Sequence, residues 1–289
     1  MKQPVVVGIG EVLWDKFPEV KKIGGAPLNF VYHAMSNGAD GYVISAVGND
    51  SLGDELVSTI KESGVKMLCE KNAYPTGIVN ITLDEEGVAQ YEIVENVAWD
   101  HINVDEEVKK IICQCDCICF GTLAQRSSKS RVAIYEYLRA LPVDAVRFYD
   151  VNLRQHYYDN TMIGMSMLAA SVLKLNNEEL IVIGRMFGID GEEDEVVKSL
   201  IKRYELDYVL LTCGDAYSKV YARNGEISCV DTPVVEVVDT VGAGDSFSGT
   251  FIVSLLRGDD FREAHRKAVE VSAWVCTQSG AMPKYDIKK

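Results

Sequence analysis

Apolar and polar positions along this chain fall into two kinds of block. Short apolar runs at Val5 to Ile9, Tyr42 to Val47, Cys113 to Phe120, Ala145 to Tyr149, Ser171 to Leu175 and Tyr208 to Leu211 read as buried strands. Between them apolar positions recur at helical spacing. In Leu52 to Ser63 the stripe is Leu56, Val57 and Ile60, and Gly64 supplies the stop. This alternation predicts an α/β fold, a mostly parallel sheet with helices on both faces. One segment breaks the pattern. Gly77 to Asp84 and Val88 to Val94 alternate in polarity and are joined by Glu85-Glu86-Gly87, a hairpin signature. A half-apolar hairpin inserted in such a domain must cover something, so it reads as a lid over a cleft or as a homodimer contact, and the two are compatible. No Pro/Ser-rich linker, internal repeat or low-complexity tract interrupts the chain. It reads as one domain, 1–289, with a lid formed by about 11–23 and 76–100.

Composition narrows the partners. The 289 residues suffice for a sizeable core, and 47% apolar with 25% charged residues is ordinary for a globular protein. Forty-three acidic against 29 basic residues leave a net charge of −14 without any Lys/Arg-rich run, which argues against nucleic acid as a partner. A nucleotide would have to be held by local amides, a few cations and a metal. The N-terminal apolar stretch is too short for a signal peptide, and Glu11 and Asp15 follow it. No membrane span is visible, and eight cysteines do not suggest a disulfide framework, so the cytosol (a cytoplasmic location) is the expected compartment. Cys113, Cys115, Cys117 and Cys119 alternate within Ile111 to Phe120. They read as one face of a buried strand, because zinc sites usually take their cysteine pairs from turns with two intervening residues.

Three segments carry candidate chemistry. Asp239-Thr240-Val241-Gly242-Ala243-Gly244-Asp245 follows an apolar run, Val234 to Val238, that reads as a strand, and precedes an apolar helix over Phe247 to Leu256 closed by Gly258. Two glycines and an alanine at a helix start can aim backbone N–H groups at one anion. Asp245 beside that anion is placed to take a proton from a hydroxyl attacking phosphorus, although an Asp there also suits a plain cap. The second segment, Lys22 to Ala34, is a glycine turn feeding a helix with Pro27 near its start and Asn37-Gly38 at its end. Leu28, Val31 and Met35 form its buried stripe and leave Asn29 on another face, suited to sugar hydroxyls or to a structural role. The third, Lys174 to Glu179, joins a strand to a helix. Asn176 and Glu179 fit a capping box there, and equally a carboxylate that organises Mg²⁺ near phosphates.

Gly24-Gly25-Ala26-Pro27-Leu28-Asn29, followed by Gly38 and Gly48, together with the 239–245 segment, resembles both signatures of the ribokinase-like (PfkB) carbohydrate kinases. The likeness spans nearly the whole chain. Gly10 to Asp15, Gly24 to Pro27 and Asp150 to Arg154 look most similar to bacterial fructokinases. The resemblance implies a three-layer α/β/α ribokinase-like core with a small β-strand lid. It further implies transfer of the γ-phosphoryl group of ATP to a sugar, fructose first, with Asp245 as base and Gly242, Ala243 and Gly244 as the anion hole. Asp15, Gly24, Gly25, Asn29 and Arg154 would hold the sugar, and Lys174, Asn176, Thr212, Gly214 and Thr240 the nucleotide. Glu179 and Asn176 would organise Mg²⁺, in part through water. Many members also carry a K⁺ site near the anion hole, which Asp239, Val241, Val275, Gln278 and Gly280 could supply here, largely through backbone carbonyls. Val31 and Thr250 stand where smaller residues are usual, and Lys284 where a hydroxyl often completes the cation site. Ribose, 2-keto-3-deoxygluconate, nucleosides, or sugar sensing without catalysis remain alternatives on the same scaffold. A dinucleotide fingerprint at Val5 to Gly10 fails because Leu13 occupies the third glycine place, and no Gly-x-x-x-x-Gly-Lys-Ser/Thr loop is present.

Overall fold

A computed structural model describes residues 3–83 and 89–285. The Glu85-Glu86-Gly87 turn lies outside the described residues. The chain runs β1 (Val5–Ile9), β2 (Leu13–Lys16), β3 (Lys21–Gly24), α1 (Ala26–Ser36), β4 (Asp40–Gly48), α2 (Ser51–Glu62), β5 (Lys66–Asn72), β6 (Ile78–Leu83) and β7 (Ala89–Ile93). It continues through α3 (Glu106–Ile112), β8 (Cys117–Gly121), α4 (Ser128–Ala140), β9 (Val146–Asp150), α5 (Asn160–Ala169), β10 (Val172–Asn176), α6 (Asn177–Phe187) and α7 (Glu193–Tyr204). It closes with β11 (Tyr208–Cys213), β12 (Tyr217–Ala222), β13 (Ile227–Asp231), α8 (Ala243–Leu256) and α9 (Phe261–Cys276).

Nine strands form one sheet in the order β13-β12-β11-β10-β9-β8-β1-β4-β5, parallel except that β12 pairs antiparallel with both neighbours. The period-two pattern of the strands sorts their side chains into two cores. Val6, Cys117, Cys119 and Phe148 pack with Leu28 and Phe30 of α1, Leu56 of α2, Phe251 of α8 and Ala268 of α9. Val7, Ile118, Phe120 and Tyr149 pack with Tyr137 of α4, Ile163 of α5, Ile183 of α6 and Leu200 of α7 on the other face. This is the expected three-layer arrangement. The strand order reverses between β1 and β8, and in such sheets ligands bind beyond the carboxyl ends of the strands at that reversal.

A second sheet, β3-β2-β6-β7, forms the lid. Its β6–β7 pair is the expected hairpin, with Val79 opposite Ile93 and Ile81 opposite Tyr91. Gln155 Nε2 donates to Tyr91 O at 2.7 Å, which ties the lid to the loop after β9.

Two expected strands differ. Cys113 caps the end of α3 and is exposed, and Cys115 is buried in the following turn, so only Cys117 and Cys119 share a strand face. The cause is Asp105, whose carboxylate accepts from Glu107 N at 2.7 Å and starts a helix that consumes the front of the apolar run. Val234 to Val238 is not a strand. Val234, Val237 and Val238 are exposed, and Val238 N donates to Cys276 O at the end of α9 instead of to a neighbouring strand. Pro233 removes a donor just before this run, and β-branched residues make a strand only where an edge is available to pair with.

Candidate active site

Two helices open onto the reversal point, and glycine sets the start of each. Gly25 is the N-cap of α1 at φ 121°, where a Cβ would lie 2.3 Å from Glu11 O. Gly242 is the N-cap of α8 at φ 82°, where a Cβ would lie 2.7 Å from Ala281 O. Glycine gives neither helix a side-chain cap of its own. The N–H groups and positive dipole end of α8 face an anion, while at α1 the Ala26 N–H bears on the Glu11 carboxyl and Pro27 has no N–H. Gly249 brings the helices together, since a Cβ there would stand 2.7 Å from Phe30 O. Asn29 Nδ2 therefore reaches Asp245 Oδ2 at 2.9 Å, joining residues 216 apart in sequence. Val31 and Thr250 lie buried in this same pair of helices, where Asn37 Nδ2 donates to Thr250 Oγ1 at 3.0 Å.

Carboxylates converge around this point. Loss of water around Asp245, reinforced by the charge of Asp150, pushes its carboxyl up to about 6, while Asn29, Lys174 and Arg154 pull the other way. Asp150 ends β9 and pairs with Lys174 of β10 at 3.1 Å, both side chains buried. Burial pulls the Lys174 ammonium down, but the Asp150, Glu179 and Asp245 carboxylates outweigh it and hold the group above its ordinary value. Lys174 Nζ stands 3.1 Å from where Gly244 would carry a Cβ, so a fixed cation lies against the glycine turn. Asp15 on β2 lies over Gly24 and is raised to about 6 by burial against the counter-pull of Arg154 and Lys22. Arg154 itself is exposed, in the loop after β9.

Of the nucleotide candidates, Asn176 and Thr212 are register partners at the ends of β10 and β11, and Gly214 follows at φ 57°. Thr240 is exposed, and its carbonyl accepts from Ala243 N at 3.2 Å. The capping box forms: Asn176 Oδ1 accepts from Glu179 N at 2.8 Å, and Glu179 Oε2 accepts from Asn176 N at 2.8 Å. Glu179 Oε1 accepts from Leu153 N at 2.9 Å. Each carboxylate oxygen keeps a second lone pair, which fits a water on Mg²⁺ better than direct ligation. No cluster of three or more His, Cys, Asp or Glu able to hold a metal occurs among the described residues.

The potassium candidates are gathered at the junction of the 239–241 and 275–280 segments, where the Asp239 carboxylate and the Val275 carbonyl already accept hydrogen bonds. Asp239 Oδ1 accepts from Val241 N at 3.1 Å. Its Oδ2 accepts from Gly280 N at 3.0 Å and from the lid ammonium of Lys22 at 3.4 Å. The Val275 carbonyl accepts from Gln278 N at 2.9 Å, and Lys284 is exposed.

Glu11 and Asp150 were not singled out as candidates in the sequence. The available signal was positional, an acidic residue directly after or at the end of a buried parallel strand.

The profile of the pfkB family carbohydrate kinases matches residues 11–288. The chain is 27% identical to a protein named probable fructokinase-5 in Arabidopsis thaliana, over 97% of this chain and 94% of that one. Among solved structures, the ATP-bound fructokinase of Xylella fastidiosa superposes with a TM-score of 0.85 at 20% identity, covering 96% of this chain and 94% of that one. The Vibrio cholerae fructokinase in its fructose-, ADP- and calcium-bound form gives 0.82 at 22% identity, covering 97% and 95%. No helix among the described residues is long and apolar enough to cross a membrane.

Proposed function

This chain belongs to the pfkB family of carbohydrate kinases, and on that premise we propose that it phosphorylates fructose, with Asp245 as the base. The observation that carries this reading is the Asn29–Asp245 hydrogen bond of 2.9 Å. It fixes one carboxylate oxygen from the sugar side of the cleft and leaves the other for the acceptor hydroxyl. As the hydroxyl oxygen bonds to the γ-phosphorus, its proton passes to Asp245, the bond to the bridging oxygen breaks, and ADP leaves. A carboxyl near 6 is mostly ionised at neutral pH yet basic enough to share that proton.

The Gly242–Gly244 turn supplies N–H groups to the phosphoryl oxygens as charge spreads onto them, and each such donor is worth about 3 kcal/mol of barrier. The Ala243 N–H, now on Thr240 O at 3.2 Å, would exchange that long bond for a phosphoryl oxygen. Lys174 adds a buried positive charge that Asp150 keeps in place. Glu179 and Asn176 are the residues that would hold the waters of a bound Mg²⁺, which would offset the negative charge of the phosphates. No step is assigned to potassium. Asp15, Gly24, Gly25 and Arg154 line the acceptor side, while Thr212, Gly214 and Thr240 line the nucleotide side. The fructose assignment draws on the Gly10–Asp15 motif and on the names of the relatives.

The test is a coupled ADP-release assay with Mg-ATP and fructose, ribose, glucose, 2-keto-3-deoxygluconate and adenosine, comparing wild type with Asp245→Ala. Turnover on fructose that vanishes in the variant is the expected result. Preference for another acceptor replaces the substrate, and sugar binding without turnover by the wild type sinks the kinase mechanism.

A further inference from the structure

Glu11 follows β1 at the point where the strand order reverses, and it is one of the few carboxyl groups in the protein that are nearly sealed from solvent, at 5% exposure. Its Oε2 is buried without a hydrogen-bond partner, as is Asn29 Oδ1, also on a residue 5% exposed. The two residues flank the start of α1, because Glu11 O touches Gly25 and Asn29 N donates to Gly25 O at 3.0 Å. Leaving two polar atoms unsatisfied in one small region carries a penalty that folding alone does not explain. Asn29 is bonded to the proposed base through its Nδ2, and the carboxyl of Glu11 feels the charges of Arg154 and Asp245.

We propose that Glu11 is a further acceptor-binding residue, whose Oε2 forms, with Asn29 Oδ1, a subsite for two hydroxyls of a polyhydroxylated substrate. The inference rests on the acceptor reading above and adds a specificity determinant to it. Burial raises the Glu11 carboxyl to about 7, with the N–H groups of Glu11 and Ala26 and the charge of Arg154 holding it back and Asp245 adding to the rise. Near neutral pH the group therefore exists in both forms, accepting from a sugar hydroxyl when ionised and donating to one when protonated. A site built to hydrogen-bond an acceptor hydroxyl rejects analogues that lack it, because the buried group is then left unpaired.

The competing role is structural: Glu11 as a remote cap on α1. Glu11→Gln separates the two, since the amide oxygen can still face the Ala26 N–H. Calorimetric binding of D-fructose, D-ribose, D-glucose and 2-keto-3-deoxygluconate without nucleotide, and coupled turnover with Mg-ATP, would be measured on wild type and variant. For the sugar that the wild type binds, Kd and KM are expected to rise about 10- to 100-fold in the variant, with kcat changing less. Among monodeoxy analogues of that sugar, one should bind worse than the parent to the wild type yet as well as the parent to Glu11→Gln. Thermal melting at pH 8 should leave the variant at or above the wild type. Unchanged Kd and KM, or analogue losses that are the same in both proteins, would overturn the assignment of Glu11 alone. A lowered melting temperature with intact sugar affinity would return it to a cap. A wild type that binds none of the four sugars would overturn the acceptor reading and the subsite together.

Discussion

On the proposed mechanism Asp245 must be ionised to take a proton, so its raised value sets the acid limb of activity. The expected profile has kcat/KM falling as pH drops through about 6, measured by initial rates from pH 5 to 8. Asn29 is one of the groups holding that value down, so Asn29→Ala should move the limb to higher pH as well as weaken sugar binding. Asp245→Asn should lower kcat by about 10²- to 10⁴-fold while sparing sugar affinity. The cysteines give a separate check. Burial raises the Cys115 thiol to about 12 and holds those of Cys117 and Cys119 well above the ordinary thiol range, whereas Cys113 and Cys229 are exposed. With a thiol reagent followed by peptide mapping, Cys113 and Cys229 should be modified long before Cys117 and Cys119. Asp245 and Asn29 were legible in the sequence because each sits in a short motif whose glycines announce a helix start. Glu11 and Asp150 were not, because what distinguishes them is company that only the fold assembles: Arg154 and Asp245 around Glu11, and Lys174 and Asp245 around Asp150.

At the level of elements, the α1–α8 contact decides whether the site exists. Gly249→Ala places a methyl 2.7 Å from Phe30 O, a backbone atom that cannot swing aside, and the helices must part. The expected cost is about 1–3 kcal/mol of stability, seen in denaturant melts, with a fall in kcat/KM as Asn29 draws away from Asp245. The alternation of strand and helix was legible because each parallel strand is buried on both faces and each helix on one. The errors came where an apolar run was longer than its strand, as at Cys113 to Phe120, or had no edge to pair with, as at Val234 to Val238. Local preference carried both runs, and capping by Asp105 and the missing donor at Pro233 decided against it.

Over the whole molecule, raised carboxyls and buried histidines pull stability in opposite directions with pH. Burial lowers His33 and His265 to about 4, so the stability they contribute is present above the ordinary imidazole value and is lost as pH falls toward 4. Glu11, Asp15 and Asp245 all have folded values raised by burial, to about 7, 6 and 6. Each therefore contributes stability that is present below its ordinary carboxylate range and is lost as pH rises through its folded value. Between pH 5 and 8 these three carboxyls should pull the melting temperature down while kcat/KM climbs, and Glu11→Gln should lessen that pull. Calorimetric scans at matched ionic strength would show whether it does. The ion pair from the lid to the 239–241 turn adds little to global stability. Lys22 and Asp239 are a part-exposed pair at 3.4 Å, so Lys22→Ala should cost at most about 1 kcal/mol, and less in high salt.

The bond between Asn29 and Asp245 also bears on how the protein is made. The two residues are 216 positions apart, and a ribosome adding about 5–20 residues per second needs roughly 10–40 s to pass from one to the other. Through that interval α1 is synthesised without α8, the helix that covers it, and the sugar half of the cleft exists with no base opposite it. On the proposed mechanism a nascent chain therefore cannot spend ATP, and the apolar flank of α1 is a surface for chaperones until residues 243–256 arrive.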